Sequence, residues 1–347
     1  MNKAVYSSEI YKSINKKRVF VLIAGIIAAI ISCLTDLCVG SSGMSAKDVA
    51  LTLLSGPNGD SVYTLIIWSI RLPMTLTCVF VGASLALAGL QVQTITNNPL
   101  ASPYTLGISA GASFGAAISI TLGFTILGVQ WIGTASMAFL FAIAVSIAIF
   151  MLGKSRGLDT SVLILIGIIM NFFFTALQQY LQYTASAEVA QIISNWSFGN
   201  LSRSSWASVW VSAIISVVGF IIITKFSWKL TALTAGEERA KSLGINVEKL
   251  RICIFIICAT LIAGAVGFIG TVAFVGLVAP HCARLLVGED QRFLIPVTTV
   301  FGSLIMLVAS SVAKLMSNGS MLPVGIITSV VGVPFLFVLL MKEVKGR

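Results

Sequence analysis

The feature that most constrains this chain is a series of apolar runs, each about as long as a membrane is thick. A helix crosses the hydrocarbon core with roughly 20 apolar residues, and such runs recur between residues 19 and 341. Hydrophobic residues make up 57% of the 347 residues and charged residues only 10%, whereas a soluble domain carries about 25% charged residues. The sequence therefore predicts an all-α polytopic membrane protein with about ten transmembrane helices.

Ten spans are predicted from the apolar runs and the polar residues between them. They lie near 19–38, 66–92, 105–128, 131–152, 161–183, 206–224, 251–268, 270–287, 293–316 and 323–341. The first run follows the basic residues 16–18 as in a signal peptide, but the long basic region and the many later spans favour an uncleaved helix. Gly264, Gly267 and Gly270 leave open a broken or re-entrant arrangement of the seventh and eighth spans.

The distribution of Lys and Arg predicts the orientation. With the N-terminus inside, 18 of the 22 Lys and Arg residues fall in cytoplasmic segments, and only Lys47, Arg71, Arg203 and Lys314 fall outside. Basic residues concentrate on the cytoplasmic side of membrane proteins. Both termini are therefore predicted to lie in the cytoplasm.

The sequence shows no source of energy for transport. Its acidic and basic residues lie in loops or near span ends, whereas ion-driven transporters usually keep ionisable groups at membrane depth. This weakens the alternative of a stand-alone secondary transporter or channel. No nucleotide-binding P-loop is present, because Gly153-Lys154-Ser155 has Ala148 where the first glycine should stand. We expect a partner protein to supply the energy.

No pattern in the sequence favours an enzyme. The single histidine, His281, adjoins Cys282, and such a pair is far short of a metal site. There is no pair of acids at membrane depth and no histidine cluster. The chain is therefore predicted to be non-catalytic and to hold no cofactor or metal.

A polar segment interrupts the apolar chain at NNPLASPYTLGISAGASFG, residues 97–115. Proline pushes the residue before it out of helical geometry, so Asn98 and Ser102 should form a rigid turn at the cytoplasmic end of the second span. Gly107, Gly111 and Gly115 follow at intervals of four, a spacing that lets helix backbones approach closely. We predict a tightly packed hairpin of the second and third spans that holds the turn in place.

The polar segment 225–250 contains a predicted short helix within LTAGEERAKSLGIN, residues 233–246. Thr234 and Glu237 have the spacing of a capping box, and Gly244 is placed to end the helix in a left-handed conformation. Such a helix would expose Glu237, Glu238, Arg239 and Lys241, and would offer Leu233, Ala240, Leu243 and Ile245 for apolar contact. A docking surface is favoured over a merely solvated loop.

The fifth span carries a polar stripe. Its members recur at spacings of three, four and seven, which places them on one helix face: Asn171, Thr175, Gln178, Gln179 and Gln182. Amides in a membrane should face protein or water rather than lipid. Either hydrogen bonding between helices or a wall of a translocation path would satisfy them.

Several motifs carry a resemblance to a known family. They are R-L-P-x-T-L at 71–76, G-A-S-L-A-L-A-G at 82–89, N-P-L-A-S-P at 98–103, L-G-I-S-A-G-A at 106–112, G-E-E-R-A-K-S-L-G at 236–244, G-F-I-G-T-V-A-F-V-G-L-V-A-P-H at 267–281 and L-P-V-G-I-I-T at 322–328. From about residue 64 to 342, the chain resembles the FecCD-type permease subunits of ABC importers for iron–siderophore complexes and vitamin B12.

The resemblance implies an architecture and a set of partners. Residues 1–347 would form a single permease domain with the type II ABC importer fold, in a bacterial or archaeal cell membrane. A second permease subunit would complete a homo- or heterodimer, two cytoplasmic ATPase subunits would bind ATP and Mg, and an extracytoplasmic binding protein would deliver the substrate. Membrane lipid is the remaining partner, and no nucleic acid is expected.

The resemblance also implies roles for individual residues. It assigns Gly236, Glu237, Glu238, Ala240, Leu243 and Gly244 to coupling with the ATPase. It assigns Arg71 and Lys314 to docking of the binding protein, with Met74 standing where the family has a second arginine; a helix-end anchor is the alternative for both. It assigns the stripe on the fifth span to the path, and Asn98, Leu100, Thr160 and Ser161 to a cytoplasmic gate.

The predicted function is that of a permease subunit of an ATP-driven importer. The resemblance favours a ferric siderophore as the substrate. A polar but uncharged cavity suits a bulky chelate held by weak contacts, but it does not distinguish one chelate from another. Cobalamin, haem and oxyanions such as molybdate remain open as substrates of the same type of permease.

Overall fold

The computed structural model describes residues 3–40, 43–59, 61–154, 160–317 and 321–345. In these ranges the chain is almost entirely helical, and the one strand-like pairing is a single bridge between Ile126 and Val129. Within the same ranges, seven helices are long and apolar enough to cross a membrane, and three shorter apolar helices accompany them. The predicted all-α polytopic class is confirmed.

The long helices are α1 (Lys3–Cys38), α4 (Leu72–Ile95), α6 (Gln130–Lys154), α7 (Thr160–Thr184), α9 (Trp206–Lys225), α12 (Val247–Ile269) and α14 (Gln291–Leu315). The shorter apolar ones are α5 (Ile108–Thr121), α13 (Val275–Val287) and the apolar part of α15 (Val324–Lys345). Smaller helices are α2 (Ala46–Ser55), α3 (Val62–Thr64), α8 (Ala187–Ser197), α10 (Ser227–Thr234) and α11 (Glu237–Ser242), with a 3₁₀ turn at Leu201–Arg203.

We name the two ends of the bundle by their charge. The basic end carries α10 and α11, the end of α4 and the starts of α12 and α14, and the opposite end is called the far end. At the basic end an ion pair of 3.3 Å joins Arg18 of α1 to Asp290, the N-cap residue of α14. Whether the basic end faces the cytoplasm, as the sequence predicts, stays a prediction.

Helix α4 lies at the centre of the bundle. It packs against α14, α12, α9 and α13 and is buried along almost its whole length. Gly82 lies against the carbonyl group of Gly302 in α14, and Gly89 lies against that of Gly276 in α13. A side chain at either glycine would collide with backbone, so these glycines set how closely α4 approaches its neighbours.

The second and third spans were predicted to pack against each other as a hairpin, but each packs against other helices. Helix α5 packs mainly on α6 and α7, while α4 packs on the four helices named above. Gly111 and Gly115 face α6, where a Cβ on Gly111 would lie 3.2 Å from the carbonyl oxygen of Phe141. Gly107 is not helical: its φ of 74° is left-handed, and it contacts α7. The glycines do allow close packing, but Gly111 and Gly115 pack against α6 and Gly107 packs against α7.

Two predicted spans are shorter than expected. The third, predicted over 105–128, is helical only at Ile108–Thr121, and a turn at 122–129 follows it. The eighth, predicted over 270–287, begins at Val275, because Gly270 and Phe274 adopt positive φ values of 83° and 68°. The break that the glycines left open therefore falls between α12 and α13.

Helices α2 and α8 are among the short helices that were not predicted. Helix α2 lies in the polar segment 39–65 and begins with a capping box of Ser45 and Asp48. Helix α8 follows α7 and begins at Ser186, whose side chain accepts a hydrogen bond from the Val189 amide. The signal of α2 is complete in the sequence, since Ser followed three residues later by Asp is typical of helix starts, whereas α8 offers only a serine that is a typical N-cap residue.

Candidate functional site

The segment predicted to couple with an ATPase folds into two short helices, α10 and α11, at the basic end. The predicted capping box at Thr234 is wrong: Thr234 ends α10, and its hydroxyl donates to the carbonyl oxygen of Thr231 at 2.8 Å. Gly236, with φ 116°, is the N-cap residue of α11 instead. The chain turns sharply there, a conformation that glycine adopts at little cost.

The predicted C-cap at Gly244 agrees with the structure. Gly244 has φ 78°, the Ile245 amide donates to the carbonyl oxygen of Ala240 at 3.1 Å, and the Gly244 amide donates to that of Lys241 at 2.9 Å. This pair of bonds is the Schellman motif, which satisfies the last carbonyl groups of a helix. Helix α11 is therefore a preformed turn with a fixed end.

The two faces of α11 differ in exposure: the inner face is buried against its own chain, and the outer face is exposed. Leu233, Ala240 and Ile245 are buried beneath it, whereas Leu243 is 56% exposed. The residues on the outer face are Glu238, Arg239, Lys241, Ser242, Leu243 and Gly244. Of the predicted apolar contact set, only Leu243 is free to contact another protein; the other three attach the segment to its own chain.

Glu237 is partly exposed, but its carboxylate is bound within its own chain. Its carboxylate contacts Lys241 at 2.9 Å and Arg251 at 2.9 Å. The hydrogen bond from Lys241, followed by the charge of Arg251, lowers the pKa of Glu237 below its usual range. Glu237 is therefore ionised near neutral pH and links α11 to the start of α12.

Arg251 connects the same segment to the end of α4. It is only 6% exposed, and its Nε donates to the carbonyl oxygen of Ile95 at 3.1 Å. Ile95 is the last residue of α4, directly before the predicted turn. One buried guanidinium thus joins α11, α12 and α4.

Further polar contacts surround the last two turns of α4. Arg284 of α13 donates to Oε1 of Gln93 at 3.1 Å. The side-chain amide of Gln291, the first residue of α14, donates to Thr94 Oγ1 at 3.0 Å. The backbone amide of Gln291 donates to Thr231 Oγ1 of α10 at 3.1 Å. Buried amides and hydroxyls in membrane proteins need such partners. The end of α4 is therefore bonded to α12, α13 and α14, and Gln291 of α14 is in turn bonded to α10.

The turn after α4, residues 96–107, is stabilised by its own side chains. Asn98 Oδ1 accepts from the Leu100 amide at 2.8 Å. Thr105 Oγ1 accepts from the Ser102 amide at 2.9 Å, and Ser102 Oγ accepts from the Thr105 amide at 3.1 Å. Leu100, at the tip, is 49% exposed. The predicted stiffness of the turn has a physical basis in these bonds.

The predicted gate partners of this turn start α7. The backbone of α7 begins at Thr160, whose side chain lies outside the described part of the structure, and Ser161 is exposed. Gly107, at the end of the turn, lies against Gly167 and Asn171 of α7. The turn and the start of α7 therefore lie at the same end of the bundle. A direct contact of Asn98 or Leu100 with Thr160 or Ser161 stays a prediction.

The polar stripe on α7 divides into two kinds of residue. Asn171 Nδ2 donates to the carbonyl oxygen of Tyr104 at 2.6 Å, and Gln178 Nε2 donates to Ser197 Oγ at 2.7 Å. Thr175 Oγ1 lies 3.5 Å from Asn171 Oδ1. Gln179 is exposed and Gln182 is half-buried. Part of the stripe therefore joins helices, and Gln179 and Gln182 remain the stronger candidates for a path.

Arg71, predicted to dock a binding protein, is buried at the far end. It is 5% exposed, and its Nη1 donates to the carbonyl oxygens of Leu37 at 2.7 Å and Cys38 at 3.1 Å. These carbonyl groups end α1 and have no partner within the helix. The contacts match the alternative of a helix-end anchor.

Lys314, the other predicted docking residue, also points inward. Its Nζ lies 2.7 Å from Oδ2 of Asp36, which is fully buried and also accepts from Thr75 Oγ1 at 2.6 Å. Ser311 Oγ donates to the second oxygen of Asp36 at 3.2 Å. We call Asp36, Arg71, Thr75, Ser311 and Lys314 the far-end cluster. The docking role of Arg71 and Lys314 is untested, and both are held inside the chain.

Sequence reasoning missed Asp36 and Arg251 as organising residues. Each is a single charge within one turn of the end of an apolar run. Such a charge requires a partner inside the protein, because an unpaired one in an apolar environment is costly. That signal was available, but the sequence alone does not reveal which distant helix supplies the partner.

Most of the chain matches one known family. A model of the FecCD transport family matches residues 26–342. The chain belongs to the FecCD transport family. As a FecCD protein, it is a multi-pass membrane permease of the ABC importer type, and the predicted family is confirmed.

Individual relatives match over nearly their full length. The FecCD chain is 34% identical to the Fe(3+)-citrate import system permease protein YfmD of Bacillus subtilis, over 94% of this chain and 96% of that protein. It is 31% identical to the molybdate import system permease protein MolB of Haemophilus influenzae, over 91% and 94%.

A solved structure confirms the fold. The FecCD chain superposes with a TM-score of 0.82 and 31% identity on an inward-facing ABC transporter described as of metal-chelate type, covering 93% of this chain and 99% of that one. The fold is therefore that of a type II ABC importer permease.

The far-end cluster generates a test that separates anchoring from docking. We expect Lys314→Met to lower the thermal unfolding temperature of the purified FecCD chain strongly, because removing one partner of a buried ion pair costs about 3–5 kcal/mol. The double variant Asp36→Asn with Lys314→Met should lose less. Lys47→Met, at an exposed basic residue of the far end, is the control and should leave stability unchanged. Normal stability of Lys314→Met with weakened association of a binding protein would instead support docking.

Proposed function

We propose that this chain is the permease of an ATP-driven importer whose substrate is a ferric siderophore. The observation that carries the proposal is the α10–α11 segment: it presents an outer face at the basic end, and Arg251 bonds it to the end of α4. A surface built in this way suits a partner that delivers mechanical work, and the sequence contains no nucleotide-binding loop of its own.

The substrate class rests on the uncharged lining and on the relatives. Iron citrate and molybdate are the substrates that the names of two relatives give, so the family alone does not select one. Gln179 and Gln182 on α7 offer polar but uncharged side chains, and such a wall suits a large chelate that must bind weakly and leave. This favours a ferric siderophore over a small, highly charged oxyanion, with haem and cobalamin as alternatives.

The proposed assembly contains two permease subunits, two ATPase subunits and a binding protein. A second permease subunit, identical or different, would complete the path, and two ATPase subunits holding ATP and Mg would attach at the basic end. A binding protein would deliver substrate at the far end. We place the basic end and both termini in the cytoplasm, because most of the Lys and Arg residues lie there.

The proposed mechanism follows the buried contacts. ATP binding in the partner would displace α11, and the ion pair between Glu237 and Arg251 would transmit this movement to the last turn of α4. The turn at 96–107 begins there, so its tip at Leu100 would move relative to the start of α7. An exposed leucine can close a hydrated path by excluding water.

The first test asks whether transport needs the partners and which substrate drives it. The complex in proteoliposomes should hydrolyse ATP faster with its binding protein and a ferric siderophore than with haem, cobalamin, ferric citrate or molybdate. Uptake should require ATP inside and the ATPase subunits. Uptake by the permease alone, driven by a proton or sodium gradient, would refute the ATP-driven proposal and favour a secondary transporter. Stimulation by another panel member would keep the importer and change its substrate.

The second test separates ATPase docking from transmission. Leu243→Asp, at the exposed contact residue, should weaken co-purification of the ATPase by about tenfold, the loss expected when a central apolar contact of about 1.4 kcal/mol is removed. Arg251→Gln should keep the ATPase bound but uncouple hydrolysis from uptake, because the contact with α4 is lost. Lys249→Gln, exposed and close by, is the control. If Arg251→Gln transports normally, the proposed transmission is wrong.

The third test concerns the gate. Cysteines at Leu100 and Thr160, in a background without the native cysteines, should crosslink more in one nucleotide state than in the other. A cysteine at Leu127, which is 91% exposed at the far end, is the control for general reactivity. Equal crosslinking in all states, or none in any, would remove this turn from the gate.

A further inference from the structure

A groove between α14 and α15 has no role in the proposed transport cycle. It measures about 280 Å³. Helix α14 lines it between Leu304 and Val312, α15 lines it between Ile327 and Phe335, and Phe274 contributes to it just before α13. Helix α15 packs mainly on α13 and α14, so this space lies beside a large part of its contact surface. Protein interiors are otherwise close-packed, and the groove therefore leaves α15 room to move.

The groove has no group that would fix a ligand in one orientation. Thr328 is the one polar side chain among the described lining residues, and its hydroxyl donates to the carbonyl oxygen of Gly325 at 3.1 Å. The other described lining residues are apolar or glycine. Such a space suits the movement of a helix better than the recognition of a ligand.

The ring of Phe274 contacts α15 at one point. Phe274 has φ 68° and ψ −29°, a left-handed conformation that is rare for a bulky residue. Gly332 of α15 lies so close to the ring that a Cβ at this position would collide with it. Strained backbone of this kind persists only where the surroundings enforce it, and it is typical of sites with a function. The strain at Phe274 holds its ring against Gly332.

The backbone just before Phe274 is held by neighbouring segments. The Asn200 amide donates to the carbonyl oxygen of Ile269 at 2.7 Å, and the Thr271 hydroxyl donates to that of Ser197 at 2.6 Å. Gly270 packs against the carbonyl group of Trp196. These contacts would have to break before the ring could withdraw, so Phe274 is a fixed stop for α15.

The start of α15 is attached to the same region. The Val324 amide donates to the carbonyl oxygen of Gly199 at 2.8 Å. A Cβ at Gly325 would lie 3.0 Å from the carbonyl oxygen of Thr271, so these two backbones are in close contact. The far-end half of α15 is therefore anchored beside the stop.

The second half of α15 follows a weak point in the helix. Pro334 lies inside α15 and has no amide hydrogen, which removes the donor for the carbonyl oxygen of Val330. Helices bend at such a proline. Pro334 is exposed, whereas Pro280 of α13 is buried, so packing does not hold the bend in α15. Beyond it, Phe337 is 64% exposed.

From these observations we propose that α15 is a hinged arm. The half before Gly332 stays fixed to Gly199, and residues 335–345 swing about Gly332 and Pro334 towards the basic end. The ring of Phe274 is the stop that limits how closely the arm approaches α14. The groove narrows when the arm rests on the stop and widens when the arm leaves it.

Disulfide formation across the groove tests the stop in the full chain without its native cysteines. Leu304→Cys with Phe335→Cys reports the arm side, because both residues lie towards the basic end of the groove. Val312→Cys with Ile327→Cys reports the anchored side and is the matched control. Adding Phe274→Ala should make the arm pair form its disulfide several-fold faster, and Gly332→Ala should make it several-fold slower. Combining both substitutions should abolish the slowing, because the methyl group then meets no ring.

Three results of this experiment would overturn the stop. Slowing by Gly332→Ala that persists in the combined variant would show a collision with something other than the ring. Unchanged rates of the arm pair in both single variants would show that Phe274 does not limit α15. Equal changes in the control pair would show a displacement of the whole helix. Should Phe274→Ala fail to fold, Phe274→Gly suits the left-handed conformation and takes its place.

Distances between spin labels test the hinge in proteoliposomes. Met341 lies seven residues beyond Pro334, about 10 Å along the helix, so a change of about 20° in the bend would move it by about 4 Å. Labels at Met341 and Lys249 should give a broader distance distribution than labels at Ile326 and Lys249. Pro334→Ala restores the missing hydrogen bond and should narrow the first distribution alone. Equal widths, or a width that Pro334→Ala leaves unchanged, would show that α15 is rigid. None of these results depends on ATP, on a binding protein or on a transported substrate.

Discussion

The structure depends on one constraint: backbone carbonyl groups at helix ends inside a bilayer must find donors within the protein, because no water is available there. Arginine supplies these donors at both ends of the central helix. Arg71 bonds the last carbonyl groups of α1 beside the start of α4, and Arg251 bonds the last carbonyl group of α4 itself. A guanidinium suits this task because it carries five donors and always stays charged. The position of α4 is therefore fixed by charge at its ends and by glycine contacts along its length.

This arrangement explains why a coupling movement would reach the turn at 96–107. The contacts of α4 with α13 and α14 place glycine against backbone, so they leave no room for sliding without a collision. The end of α4, by contrast, is held by hydrogen bonds to Arg251, Arg284 and Gln291. Hydrogen bonds can exchange one partner for another at lower cost than a packed interface can be rebuilt. A displacement of α11 would therefore be absorbed at this end rather than along the helix.

The sequence was informative where the reason for a structure is local. Apolar runs gave the spans, the residues before Pro99 and Pro103 marked the turn, and Gly244 marked the end of α11. It failed where the reason is a distant partner. Thr234 has the spacing of a cap, but its hydroxyl bonds within α10. Arg71 and Lys314 were assigned to docking or to helix-end anchoring, and the sequence did not show that a carboxylate and three carbonyl groups of α1 bind their side chains. The contacts of α5 with α6 and α7 were not predicted either, because the sequence does not show which helices lie side by side.

The two breaks in the bundle are built differently, and this difference supports the turn at 96–107 as the mobile one. Each follows a long helix, α4 or α12, and precedes a short one, α5 or α13, which begins after a residue with positive φ. Around 270–274 the chain is held by other segments: the Asn200 amide donates to the carbonyl oxygen of Ile269, the Thr271 hydroxyl donates to that of Ser197, and Gly270 packs against the carbonyl group of Trp196. The turn at 96–107 instead satisfies much of its own backbone through Asn98, Ser102 and Thr105, and it is bonded to α7 by a hydrogen bond from Asn171 to the carbonyl oxygen of Tyr104. A segment that carries most of its hydrogen bonds with it has fewer partners to leave when it moves than one bonded mainly to its neighbours.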